Sequence, residues 1–173
     1  MSLSELQPNE YNSYYQQYLD KIESREEDII EGLRQGKSRT LQFFKSLTSE
    51  QWVHTYAPDK WTPKEVLQHL IDTERIFGYR AFRIGRRDTT ALAGFDQDLF
   101  VPPSDANNKS VDQLLEEYTI TRDYTLSLVG SLSSEDLASM GNASNSPVSA
   151  RAALWIVVAH DIWHIDIIKE RYL

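Results

Sequence analysis

Thr62-Pro63-Lys64-Glu65 joins two helix-start signals in four residues. Threonine and the glutamate three positions on form a capping box, and proline takes the first helical position, where its missing N–H costs nothing. Behind it Val66, His69, Leu70, Thr73, Phe77, Ala81 and Ile84 recur at the helical period to about Gly85, with no internal proline. A start this strong, followed by about six turns of one-sided apolar residues, commits the segment to a long amphipathic helix. Such a helix must bury its apolar face against other elements, and the rest of the chain supplies them.

A first helix is expected from about Ser24 to Leu47, with Ile29, Ile30, Leu33, Leu41, Phe44 and Leu47 on its stripe, although Gly32 and Gly36 weaken its middle. Ser110-Val111-Asp112-Gln113 is another capping box and opens a third helix through Leu114, Leu115, Tyr118, Leu128 and Val129 to about Leu132. The fourth is expected to start at Ser146-Pro147 and to run to about Arg171 through Ala152, Trp155, Val158, Ala159, Ile162 and Ile165. A faint repeat links them. Ser46-Leu47-Thr48-Ser49-Glu50-Gln51-Trp52 follows the first helix and Ser131-Leu132-Ser133-Ser134-Glu135-Asp136-Leu137 the third. Each is followed by a loop and by a helix that opens with a hydroxyl residue and proline. The pattern reads as two similar helical hairpins packed as an all-α four-helix bundle, though end-of-helix caps also recur for local reasons. At this length, residues 1–173 are expected to form one domain. Residues 88–108, with Gly94, Phe95, Asp96, Phe100, Pro102 and Pro103, show no sustained period and read as a long crossover or a cover for a site. Gly141 to Ser146 reads as a loop. The tyrosine-rich stretch from Asn9 to Tyr15 reads as a short helix or arm over the bundle, with nothing in it that implies catalysis.

Composition narrows the chemistry. The chain has no cysteine, which removes thiolate metal sites, a cysteine nucleophile and disulfide staples and is compatible with the cytoplasm. A net charge of -8 argues against nucleic acid as the main partner. The N-terminus shows neither a basic nor a long apolar region of a signal peptide, and the stretch from Ala152 to Ala159 is too short to span a bilayer, so no membrane partner is expected. One local excess of positive charge stands out: Arg75, Arg80, Arg83, Arg86 and Arg87. It reads either as a solvated, salt-bridged helix end or as a patch that receives an anionic substrate or a partner subunit.

The concentrated chemistry lies in the histidines. His160 and His164 are four apart in Ala159-His160-Asp161-Ile162-Trp163-His164, which puts both imidazoles on one side of a helix. His69, from a facing helix, would complete a three-nitrogen site with a position left open for water or substrate. A lone histidine on an apolar face is more often a hydrogen-bonded core residue; three together favour a metal site. Three imidazoles suit Zn, Ni, Cu or Fe, and no His-Glu-x-x-His of the usual zinc protease is present. An ion of the Zn type on neutral imidazoles would lower the pKa of a coordinated water from about 15.7 to near 7, or hold a thiolate brought by a cosubstrate. Asp72, Glu74 and Asp161 could orient the imidazoles from outside, or be plain surface charge. Asp161 and Asp166 are poor core residues, which sets the buried face of the last helix opposite them. His54, in the connection between the first two helices, reads as solvent-facing or packed.

The run from Tyr56 to Arg75 through Trp61-Thr62-Pro63 and Gln68-His69-Leu70, together with Gly94-Phe95-Asp96-Gln97-Asp98 and the ending from Ala159 through Lys169-Glu170-Arg171-Tyr172-Leu173, resembles the DinB/YfiT-like superfamily from about Asn9 onward. The resemblance implies an up-down-down-up four-helix bundle with a long crossover between helices 2 and 3. It implies a divalent transition metal, usually Zn or Ni, on His69, His160 and His164, and often a homodimer. Relatives of this type include transferases and an isomerase that use a low-molecular-weight thiol, and proteins named metal-dependent hydrolases. Close relatives often end in Gly-His-x-x-His-His; here Ala159 and Trp163 replace the glycine and the middle histidine, so the outer pair survives while the pocket or an interface changes. The expected function is thus a metal-dependent thiol S-transferase or hydrolase acting on a small molecule. The alternatives are a non-catalytic metal-binding stress protein or dimeric scaffold, and a plain bundle with core histidines.

Overall fold

The structure, a computed structural model, describes residues 1–23 and 27–173. In chain order its helices are α1 (Gln16–Leu19), α2 (Ile29–Lys45), α3 (Ser49–Val53), α4 (Pro63–Gly85), α5 (Gln97–Ser104), α6 (Val111–Gly130), α7 (Ser134–Ala138) and α8 (Ala150–Arg171). A two-stranded antiparallel hairpin, β1 (Met140–Ala143) and β2 (Ser146–Ser149), precedes α8. Each long helix begins where a side-chain oxygen answers its orphan amides. Thr62 and Glu65 form the reciprocal box on α4, Ser110 and Gln113 the one on α6, and Asp28 and Ser149 cap α2 and α8. The faint repeat has a structural counterpart: Thr48 with Gln51 and Ser133 with Asp136 cap the short helices α3 and α7 that follow α2 and α6.

Three expectations shift. The start at Ser24 lies outside the described residues, and α2 ends at Lys45 rather than Leu47 because the cap of α3 begins at Thr48. The loop from Gly141 and the helix start at Ser146-Pro147 are instead the hairpin, so α8 opens at Ala150. Ser144 and Asn145 both take left-handed backbone, at φ 54° and 60°, which makes the tight turn between the strands. The long connection is not structureless, since it carries α5.

α4 packs against α6 and α8, and α2 packs against the same two, so α2 and α4 face each other across the diagonal. Lys64 reaches the Lys109 carbonyl, Arg122 reaches Glu74, and Gly85 meets Leu132, so α4 and α6 run parallel. Gly32 against Trp155 and Thr40 against Asp161 make α2 and α8 parallel. At the far end the Tyr172 hydroxyl donates to the Trp61 carbonyl, which sets α8 antiparallel to α4. The order is up, down, down, up. Two consecutive parallel helices need a connection that travels back along the bundle, and residues 86–110 are that crossover.

The apolar core falls into two clusters. One holds Leu33, Phe77, Ala81, Val129 and Trp155; the other holds Phe44, Leu67, Leu70, Leu114 and Ile168. Between them lies a hydrogen-bonded polar layer to which each long helix contributes: Thr40, Glu74, Arg122 and Asp161. Arg122 Nε and Nη2 donate to Glu74 at 2.7 and 3.0 Å, Nη2 also to Asp161 at 2.8 Å, and Nη1 to the Leu33 carbonyl at 3.0 Å. Tyr118 and Thr40 hydroxyls donate to the same Asp161 oxygen at 2.7 and 3.2 Å. Asp161 is therefore not on the solvent face with Asp166, as its charge suggested, but 2% exposed, because Arg122 compensates it. Glu74, at 1%, is not surface charge either. The two glycines of α2 also gain a reason: a Cβ on Gly36 would lie 2.9 Å from Arg122 Nη1, and one on Gly32 would lie 3.0 Å from Trp155 Cζ3. Among the described residues no helix is long and apolar enough to cross a membrane.

Arg122→Leu leaves Glu74 and Asp161 buried without their counter-charge. It is expected to cost about 3–5 kcal/mol of unfolding free energy in urea titrations. A loss below about 1 kcal/mol would show that the polar layer does not hold the bundle together.

Candidate metal centre

His69 lies two turns into α4, and His160 and His164 stack one turn apart on the antiparallel face of α8. His160 Nε2 lies 3.1 Å from His69 Nε2 and 3.0 Å from His164 Nε2, and candidate ligand atoms of all three fall within 4.8 Å of one another. The rings meet edge to face, with centroids 4.4 to 4.9 Å apart. His69 and His160 are buried, and His164 is partly so. Burial, with repulsion from His164, pushes His69 down to about 3; burial alone pushes His164 to about 4; and burial together with the other two imidazoles holds His160 well below the ordinary range. All three are thus neutral at ordinary pH, the form that ligates metals.

The donor set fits an ion. Metal–nitrogen bonds of about 2.1 Å place neighbouring ligand atoms roughly 3.0 Å apart at right angles and roughly 3.4 Å apart in a tetrahedron. A ring nitrogen carries at most one proton, so His160 Nε2, at contact distance from the Nε2 atoms of His69 and His164, crowds lone pairs that a shared cation would turn into bonds. The donor set is all nitrogen, which suits borderline transition ions rather than Mg or Ca. Thr73 Oγ1 lies 3.5 Å from His69 Nδ1, at the limit of a hydrogen bond, and Trp61 packs 4.9 Å from the His69 ring.

The expected outer carboxylates do not touch the imidazoles. Asp72 accepts from Gln68 and Arg75, while Glu74 and Asp161 are taken up by Arg122. Glu74 and Asp161 act instead through the helices that Arg122 joins. His54 is exposed, its ring 6.3 Å from that of Tyr172, and does not join the cluster.

A cavity of about 480 Å³ opens onto His160 and Thr73. Its walls include Phe77 and Arg80 from α4, Phe95 from the crossover, Ser144 from the hairpin turn, and Tyr14, Tyr15 and Tyr18 from the N-terminal arm. Reading the arm as unconnected with chemistry missed these tyrosines; their density in one short stretch was the available signal. The Tyr18 ring lies 5.9 Å from His160 and 4.8 Å from Trp163, and its hydroxyl is 2.9 Å from that of Tyr14. Burial raises the Tyr18 hydroxyl well above its usual value, so it stays protonated. Trp163, beside His164, ties the arm to α8 through Tyr18.

The arginine-rich stretch divides. Arg75 pairs with Asp72 and Glu117, Arg83 with Asp88, and Arg87 with Glu135, while Arg86 lies over the Phe82 ring. Arg75, Arg83 and Arg87 thus fit the salt-bridged surface that the plainer reading described. Arg80 is 3% exposed and turns into the cavity.

The sequence model of the DinB superfamily matches residues 33–168. Among solved structures, YfiT from Bacillus subtilis, described as a probable metal-dependent hydrolase with an unusual four-helix bundle topology, aligns with a TM-score of 0.74 at 20% identity, covering 95% of this chain and 90% of that one. At that identity the likeness shows the fold. No curated protein matches the sequence.

Neutral buried imidazoles set a pH dependence for the metal-free protein. A histidine whose folded pKa lies below its unfolded value binds fewer protons folded than unfolded, so stability rises with pH across the gap. The gap runs from about 6.5 in the unfolded chain to about 4 for His164 and about 3 for His69. Stability is therefore fully present above about pH 7 and falls as the pH drops below about 6.5, by up to about 1.4 kcal/mol per pH unit for each histidine. Urea midpoints of the metal-free protein should fall between about pH 7.5 and about pH 5.5, and by less in His69→Gln. Equal midpoints at the two pH values would contradict neutral, buried rings.

Proposed function

The chain belongs to the DinB superfamily, and from that premise we propose that it is a metal-dependent enzyme acting on a small molecule, with His69, His160 and His164 holding one divalent transition metal ion, zinc or nickel. The observation that carries this reading is the convergence of three Nε2 atoms from two antiparallel helices. When bound, the ion supplies Lewis acidity that activates a water for hydrolysis or a thiol for transfer. The description of YfiT as a probable metal-dependent hydrolase supports the first. The second requires a low-molecular-weight thiol from outside, because the chain has no cysteine.

The chain's own residues do the rest. α4 and α8 hold the imidazoles in register, Thr73 faces the outer nitrogen of His69, and burial keeps the rings neutral. Trp61 and Tyr18 exclude water from two sides, and the cavity brings substrate to the His160 edge. The same reading makes the protein a cytoplasmic homodimer. Exposed Ile120 and Tyr124, one turn apart on α6, support such an interface.

One observation favours a second reading, a non-catalytic metal-binding protein. Among the described residues no carboxylate reaches the imidazoles, so no general base declares itself. Both readings require the metal, and turnover separates them.

Elemental analysis of the untagged protein is expected to find about one transition metal ion per chain, lost in His160→Ala. Full stoichiometric metal in that variant would overturn the ligand assignment. With the site loaded, hydrolysis of small esters or amides, or transfer of an added thiol, should vanish on chelation and return with zinc or nickel. A metal-loaded protein inert in both assays leaves the binding role.

A further inference from the structure

A buried guanidinium is costly unless an anion answers it. Among the described residues two arginines are nearly dry, Arg80 and Arg122, and the bundle treats them differently. Arg122 is answered by Glu74 and Asp161. Arg80, 3% exposed, has no described carboxylate within ion-pair distance. Its hydrogen bonds from Nη2 go to neutral groups, the Ala93 carbonyl at 3.1 Å and Ser144 Oγ at 2.8 Å, and the Tyr15 hydroxyl also interacts with it. Phe77 and Phe95 face the guanidinium, with ring centroids 4.8 and 5.9 Å away. Neutral bonds and two aromatic faces hold this fork in place without neutralising it.

Its position gives the missing charge a purpose. Arg80 lies eleven residues beyond His69, close to three full turns, on the same face of α4. Arg80 and His160 line one cavity. The other charged groups on that wall are Asp96 and Asp98, both exposed at the rim, where Asp96 accepts the Asp98 amide. A single fixed cation behind an acidic rim suits a monoanion better than a dianion. The aromatic walls suit a flat apolar body.

We propose that Arg80 is the specificity-determining end of the cavity and that the substrate is a small, flat carboxylate, its anionic end on Arg80 and its reacting end beside His160. The placement of the reacting end rests on the metal reading; the anion site does not. The guanidinium fork offers a carboxylate paired donors in one plane, which a neutral amide cannot match.

The test uses the metal-stripped full-length protein, so that no carboxylate can bind an ion at the histidines. Calorimetric titration with benzoate, benzamide and phenyl phosphate is expected to show benzoate binding at least about ten-fold more tightly than benzamide, with phenyl phosphate weaker than benzoate. Arg80→Gln should erase the preference for benzoate while benzamide binding stays, and Arg80→Lys should keep part of it. Equal affinity for benzoate and benzamide in the wild type, binding of neither, or a preference that persists in Arg80→Gln would each overturn the proposal. Tighter binding of phenyl phosphate would overturn the monoanion assignment. The wild-type comparison stands even if Arg80→Gln fails to fold. Because no metal is present, the outcome is independent of whether His160→Ala loses its ion.

Discussion

Arg122 is where the four long helices meet. Its guanidinium reaches Glu74 on α4, Asp161 on α8 and the Leu33 carbonyl on α2 from its own place on α6, and none of the three charged side chains is more than 2% exposed. Apolar faces attract without direction and tolerate sliding, whereas five-donor guanidinium geometry does not. A buried ion pair is a poor source of net stability against an apolar replacement, but it penalises every register in which a charge is left alone. Here that penalty acts along the helix axes, in the polar layer between the two apolar clusters.

The histidine cluster inherits that register. His160 immediately precedes Asp161, and His69 lies a little over one turn before Glu74, so the layer that locks α4 to α8 also fixes how far apart their imidazoles stand. The cost of bringing three nitrogen lone pairs together is met by the surrounding fold. A rigid scaffold that holds donors at ligand distance spares the ion the work of ordering them. The absence of any carboxylate hydrogen bond to the rings, among the described residues, means that orientation comes from helix register and aromatic packing against Trp61 and Tyr18.

The cavity is assembled from segments far apart in the chain. The arm brings Tyr15 and Tyr18, α4 brings Phe77 and Arg80, the crossover brings Phe95, and the hairpin turn brings Ser144 to the guanidinium. The hairpin is held against α4: a Cβ on Gly141 would lie 2.6 Å from Ile84 Cγ1, a separation that only glycine permits. His160 and the Arg80 guanidinium thus line one aromatic-walled space.

Much of this was legible in the sequence, because caps, helical periods and i, i+4 spacing are local. Thr62 with Glu65, Ser110 with Gln113, and His160 with His164 act through neighbours within one turn, so they declared helix starts and a shared histidine face without any knowledge of the fold. The hairpin escaped because two left-handed residues, Ser144 and Asn145, turn a stretch that composition describes only as a loop. The burial of Glu74 and Asp161 escaped because their partner lies 48 and 39 residues away, and a carboxylate reads as surface until its counter-charge is placed. The role of the tyrosines and the isolation of Arg80 escaped for the same reason. The sequence by itself determined the helices, their apolar faces and the donor atoms, since those follow from neighbouring residues. Tertiary structure alone decided which charges are paired, which cation is left facing a cavity, and that His69 meets His160, because each depends on distances between elements that no local rule specifies.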